Sequence, residues 1–145
     1  MRNLVELNVD RNKYITNVNH LKKLQILSCR MIFHYLYSNG ITQYGIDQYG
    51  ISEVTQLIKL NAMCNSKITS VNHLKNLTDL NASCCLGSYD SCKCGISQTG
   101  INELKNLVKL DVTNNKLIID VSHLTKLKVL NGRAINNDNN NDKKN

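Results

Sequence analysis

Four of the six cysteines in this chain, Cys84, Cys85, Cys92 and Cys94, form the array CC-x6-CxC. Four thiolates suit a tetrahedral zinc ion, and cysteine pairs carried on loops can supply them. The spacing departs from the CxxC pairing usual for such sites. The competing reading makes these residues structural or free thiols with small apolar packing roles. A second constellation is spread along the chain: His20, Glu53, His73, Glu103 and His123 alternate imidazole with carboxylate. Both groups ligate metals. The plainer reading is a solvated polar ladder whose His–Glu attraction is worth about a few tenths of a kcal/mol per pair. Neither set contains a nucleophile–base pair, paired catalytic carboxylates or a phosphate-cradling glycine loop. An enzyme is not expected, and no cofactor is implied.

These residues recur at fixed offsets because the chain repeats itself. Pairs of the form LxxL open successive copies at Leu4, Leu24, Leu57, Leu77, Leu107 and Leu127, so the gaps are 20, 33, 20, 30 and 20 residues. The copies agree column by column. Leu7, Val9, Asn12, Ile15, Val18 and Leu21 of the first match Leu60, Ala62, Asn65, Ile68, Val71 and Leu74 of the third. They match Leu110, Val112, Asn115, Ile118, Val121 and Leu124 of the fifth. Within each copy a period of two, as in Leu60-x-Ala62, gives way to a period of three after Asn65. The first suits a strand with one buried face, the second a tight turn or winding coil. A segment that changes period once and then begins again is one coil of a solenoid.

The pattern LxxLxLxxNxI, repeated in register over residues 4–131, resembles the leucine-rich repeat family. It is most similar to the short-repeat type of internalins and of a regulatory subunit of protein phosphatase 1. The resemblance implies an α/β right-handed solenoid with a concave parallel β-sheet and convex short helical turns or coil. The abundance of Asn, Lys, Ile and Tyr also resembles repeat proteins of large DNA viruses of amoebae. The domain is expected over 1–133, with insertions near 33–50 and 86–100, followed by a disordered Asn-rich tail over 134–145.

Each column has an expected task. Leu4, Leu7, Val9, Ile15, Val18, Leu21 and Leu24 should point inward and stack on the next coil. Asn12 should join Asn65 and Asn115 in a ladder bonded to neighbouring backbone, since a buried amide is costly alone. The long copies carry Ile32 and Cys85 at that offset. Asn19, Ser52, Asn72, Asn102 and Ser122 are candidate N-caps of short helical turns. The cysteines also fall in columns: Cys29 with Val9 and Ala62, Cys64 with Cys84, and Cys85 in place of Asn. Only Cys92 and Cys94 lack such a role. The start, MRNLVEL, enters a repeat without a basic-then-apolar leader, so disulfides are not expected and an intracellular, cytoplasmic location is (host cytoplasm if viral). No apolar run of about 20 residues exists to span a membrane.

The insertions of the long copies repeat a Gly-Ile unit, at Gly40, Gly45, Gly50, Gly95 and Gly100, with glycine expected to supply positive φ and isoleucine to return to the core. Phe33, Tyr35, Tyr37, Tyr44 and Tyr49 cluster in the first insertion. They read either as an interface or as packing of the loop on its own coil.

Function then depends on the side chains projecting from the strands. The candidate partner-binding residues are Glu6, Asn8, Asp10, Arg30, Lys59, Asn61, Met63, Asp79, Asn81, Ser83, Lys109, Asp111 and Thr113. This wall is mixed in charge and rich in amides, and it suits a protein partner. The net charge of +7 raises nucleic acid as a second partner class. Many lysines, however, fall in the turns opposite the strands (Lys22, Lys23, Lys75, Lys105, Lys126), spread out and without stacking aromatics. A third reading is a fragment of a longer array without its own activity, because neither end carries a capping helix.

Overall fold

A computed structural model of the chain describes residues 3–31, 45–85 and 94–134. Six short strands run parallel in sequence order: β1 (Glu6–Asn8), β2 (Ile26–Ser28), β3 (Lys59–Asn61), β4 (Asp79–Asn81), β5 (Lys109–Asp111) and β6 (Val129–Leu130). A seventh, β7 (Arg133–Ala134), folds back antiparallel on β6. The register repeats coil by coil, with Leu7, Leu27, Leu60, Leu80, Leu110 and Leu130 side by side. This is the leucine-rich repeat solenoid: one strand per coil, with the return path made of turns. Among the described residues the one helical element is a 3-10 turn, Tyr49–Ile51. No described helix is long and apolar enough to cross a membrane.

Strand pairing continues past the named strands. Cys29 N donates to Asn61 O at 2.9 Å and Met31 N to Met63 O at 3.0 Å, with the same pair of bonds repeated in the neighbouring coils. The period-two residues therefore alternate faces for about five residues before the chain turns. The turn that follows is also repeated. Arg11, Cys64 and Asn114 adopt φ of 60, 56 and 60°, each just before the asparagine of a short coil.

The core is a stack of leucine, isoleucine and valine columns. Leu24, Leu57, Leu77 and Leu107 are wholly buried, as are Ile51, Ile68 and Ile101. Burying each such side chain contributes about 1.5–3 kcal/mol. Three expected members sit differently. Ile15 is 36% exposed and Leu4 and Leu7 are only partly buried, because no described coil covers the outer side of the first copy.

The asparagine ladder is real in two of its three rungs. Asn65 Nδ2 donates to Cys29 O at 3.1 Å and Ile46 O at 3.0 Å, while its Oδ1 accepts from Lys67 N. Asn115 Nδ2 reaches Ala82 O at 2.9 Å and Ile96 O at 3.0 Å in the same way. Both bond backward to the preceding long coil, not to one another. Asn12 is only half-buried, and its side chain accepts from Tyr14 N and Ile15 N alone.

The expected N-caps have another task. Asn19 Nδ2 donates to Tyr49 O at 2.7 Å, and its Oδ1 accepts from Glu53 N at 2.9 Å. Asn72 makes the matching bonds to Thr99 O and Glu103 N. Both staple their coil to the next one, because the return path is too tightly turned to hold a helix that needs capping. Ser52 lies at the end of the 3-10 turn, not its start.

The glycine expectation also needs correction. Gly45 has φ +91°, but at Gly50, Gly95 and Gly100 a Cβ would collide with the carbonyl oxygens of Thr16, Ile68 and Thr69. These glycines are there so that coils can approach, and the isoleucines after them, Ile51, Ile96 and Ile101, are buried as expected. Phe33, Tyr35, Tyr37 and Tyr44, most of both insertions and the tail beyond Ala134 lie outside the described residues; Tyr49 is 82% exposed.

Candidate functional site

Strand alternation sets the outward rows. Glu6, Ile26, Lys59, Asp79, Lys109 and Val129 form one row, and Asn8, Ser28, Asn61, Asn81 and Asp111 the next. The continuing backbone bonds align Asp10, Arg30, Met63, Ser83 and Thr113 as a third. All thirteen candidate residues therefore share one face of the sheet. They are not equally available. Glu6, Asn8, Lys59, Lys109 and Thr113 are exposed, Ser83 is buried, and the rest lie between.

Hydrogen bonding removes half of the chemistry that the amides offer. Asn8 Oδ1 accepts from Asp10 N, Asn61 Oδ1 from Met63 N, Asn81 Oδ1 from Ser83 N and Asp111 Oδ1 from Thr113 N, at 2.9, 3.2, 3.0 and 2.9 Å. Each is a local turn in which the side chain holds its own backbone two residues on. Because only oxygen can accept from these N–H groups, the amide orientation is settled by the bonds. The Nδ2 groups of Asn8, Asn61 and Asn81 are left as donors. Ser83 adds its hydroxyl to Asn81 Oδ1 at 2.6 Å and has little left to offer a partner.

Charge is arranged unevenly across the rows. At the β1–β2 end, Asp10 is engaged by Ser28 Oγ at 2.6 Å, Arg30 N at 3.0 Å and Arg30 Nε at 2.7 Å. The Nε contact is an ion pair without hydrogen-bond alignment. In the middle, no ion pair among the described residues neutralises Lys59, Asp79 or Lys109. Neighbouring strands stand about 4.8 Å apart, so this row presents alternating charge at strand spacing.

The opposite side is internally paired. Lys22 Nζ meets Glu53 Oε2 at 2.6 Å and Lys75 Nζ meets Glu103 Oε2 at 2.5 Å. Hydrogen bonding and charge from the lysines hold both carboxyls below the usual glutamate range. The expected His–Glu attraction is therefore displaced: lysine takes the carboxylate, and His73 Nε2 lies 3.0 Å from Ile51 O instead. His123 Nε2 stands likewise 3.3 Å from Ile101 O.

Sequence reasoning missed Gln48 and Gln98. Gln48 Oε1 accepts from Thr69 N and Ser70 N, and Gln98 Oε1 from Ile119 N and Asp120 N, clamping each long coil to the short coil after it. The signal was present in the shared QYGI and QTGI of the long copies.

Cys84 and Cys94 are joined sulfur to sulfur, with Cα atoms 5.7 Å apart, inside the range of about 4.4–6.8 Å that a disulfide spans. That overturns the expectation that disulfides are absent, and it gives Cys94 a structural role: coil geometry returns it beside the strand exit. Cys85 faces Cys64 with sulfurs 2.9 Å apart, and Cys92 lies outside the described residues. Among the described residues no group of three or more His, Cys, Asp or Glu side chains is placed to hold a metal. Cys29 is buried, and burial pushes its thiol up to about 12 against a lowering hydrogen bond from Asn65.

No family model matches the chain, and no curated protein does. Among solved structures, the functional domain of InlJ from Listeria monocytogenes, described as including a cysteine ladder, is 28% identical over 89% of this chain, with a TM-score of 0.42. The match covers 34% of that protein, so this chain spans about a third of its length. The repeat architecture itself rests on the strand register described above.

Proposed function

We propose that the chain is a non-catalytic protein-interaction module that binds a protein partner across the outward strand rows. The observation that supports this reading most is the donor-biased amide row, Asn8, Asn61 and Asn81, running beside Lys59, Asp79 and Lys109. A wall of fixed donors with interspersed charge is complementary to a segment rich in carbonyl or carboxylate acceptors, and its rigidity limits the entropy lost on binding. The turn-side lysines favour nucleic acid less, since Lys22 and Lys75 are already held by carboxylates and Lys126 Nζ donates to Asn106 Oδ1 at 2.8 Å. Cytoplasmic placement, in a host cell if the gene is viral, belongs to the same proposal, and imaging of the tagged chain checks it.

The test is affinity capture at two salt concentrations, with and without nuclease, using the wild-type chain and Asn61→Arg with Asn81→Arg. A protein partner retained at moderate salt and lost with the double substitution supports the reading. Partners lost to nuclease, with a steep salt dependence, support nucleic-acid binding instead. An empty capture supports a fragment of a longer array.

A further inference from the structure

Coils three and four meet at their strand exits through sulfur. Cys64 Sγ and Cys85 Sγ lie 2.9 Å apart, and the backbone N–H of Cys85 points at Cys64 Sγ at 3.0 Å. Cys64 is 1% exposed, whereas Cys85 is half-buried and reachable from solvent. The two are not equivalent, and the difference assigns them roles. An accessible thiol meets a small reagent first, and the buried thiol in contact with it is placed to react next.

We propose that Cys85 and Cys64 are an entry thiol and a resolving thiol that close into a disulfide between coils three and four by exchange with a small-molecule disulfide. The Cys85 thiolate attacks one sulfur of the reagent, forming a mixed disulfide and expelling the first small thiolate. Cys64 then attacks the Cys85 sulfur and expels the second. Two protein thiols are oxidised, one reagent disulfide is reduced, and the two protein protons end on the released thiols. The Cys84–Cys94 bridge beside them takes no part. The inference is independent of what the strand face binds.

Full-length protein is incubated with glutathione disulfide, acid-quenched and mapped by non-reducing peptide mass spectrometry with fragmentation to separate Cys84, Cys85 and Cys92. The wild-type chain should lose two hydrogens and show a Cys64–Cys85 cross-link. Cys64→Ser should stop at a stable glutathione adduct on Cys85. Cys85→Ser, at a half-exposed position with little effect on folding, should show neither cross-link nor adduct at Cys64. Cys29 is the internal control and should remain a thiol. A wild-type chain that keeps glutathione on Cys85, a cross-link from Cys64 to a different cysteine, or an adduct on Cys64 in Cys85→Ser would each overturn the proposal.

Discussion

The first and third coils have nearly the same sequence pattern and unequal structures. Leu60 is 2% exposed while Leu7 is only half-buried; Ile68 is fully buried and Ile15 is 36% exposed. Asn65 donates to two carbonyls of the coil behind it, and Asn12 has no such coil among the described residues. The strands are the same length and the turns reach the same positive φ. What differs is the neighbour. In a solenoid each repeat contributes little by itself, and stability comes from interfaces between adjacent coils. A coil covered on one side only should therefore be the first to open.

Alanine at Leu60 and at Leu7 should separate the two coils most strongly. Leu60→Ala removes a wholly packed side chain and is expected to cost about 2–5 kcal/mol in chemical denaturation. Leu7→Ala should cost about 1 kcal/mol, since half of that surface is already wet. Equal losses would show that the first coil is covered by something other than the described residues.

Asn65→Ala should come next. It removes the bonds to two buried carbonyls and the one from Lys67 N, for a loss of about 1–3 kcal/mol. Asn12→Ala removes only the two local turn bonds and should cost under about 1 kcal/mol. Amide hydrogen exchange resolves where the damage lies: opening should spread across coils two and three in the first variant and stay within coil one in the second.

Glycine contacts sharpen the comparison further. A Cβ at Gly100 runs into Thr69 and Ser70, in a coil held on both sides; a Cβ at Gly50 runs into Thr16 and Asn17, in the coil held on one. Gly100→Ala should cost about 1–3 kcal/mol through overpacking. Gly50→Ala should cost less, because the first coil can shift outward. A thermal melt of each checks the ordering.

The smallest effect belongs to the turn-side ion pairs. Glu103 is held below the usual glutamate range by Lys75, as Glu53 is by Lys22. A depressed carboxyl contributes stability that is present above the ordinary glutamate value and lost as the pH falls through its lowered one. Lys75→Met should return Glu103 to the ordinary range in an NMR titration, with little change in the melting midpoint at neutral pH. A large midpoint change would mean that the pair is more than a solvated contact.

Reading these coils from sequence worked where one column does one job everywhere. Buried leucine positions, the alternation along each strand and the isoleucine after each glycine follow from local periodicity, which a coil carries in its own residues. The outward rows were legible for the same reason, as the period of two settles which residues share a face. Side-chain partners were not. Nothing local distinguishes Asn65 from Asn12, or tells Asn19 to staple the next coil instead of capping a helix; those bonds join separate coils, as in Asn65 to Ile46 and Asn19 to Tyr49. The same limit hid the lysine partners of Glu53 and Glu103, the clamps of Gln48 and Gln98, and the approach of Cys94 to Cys84.

By itself, then, the order of residues determined the coil: a strand, a tight turn and a return path with its greasy side inward. Only stacking decided which amide oxygens are spent, which glycines must stay bare and which thiols meet. Those outcomes depend on the distance between one coil and the next, and no single repeat contains it.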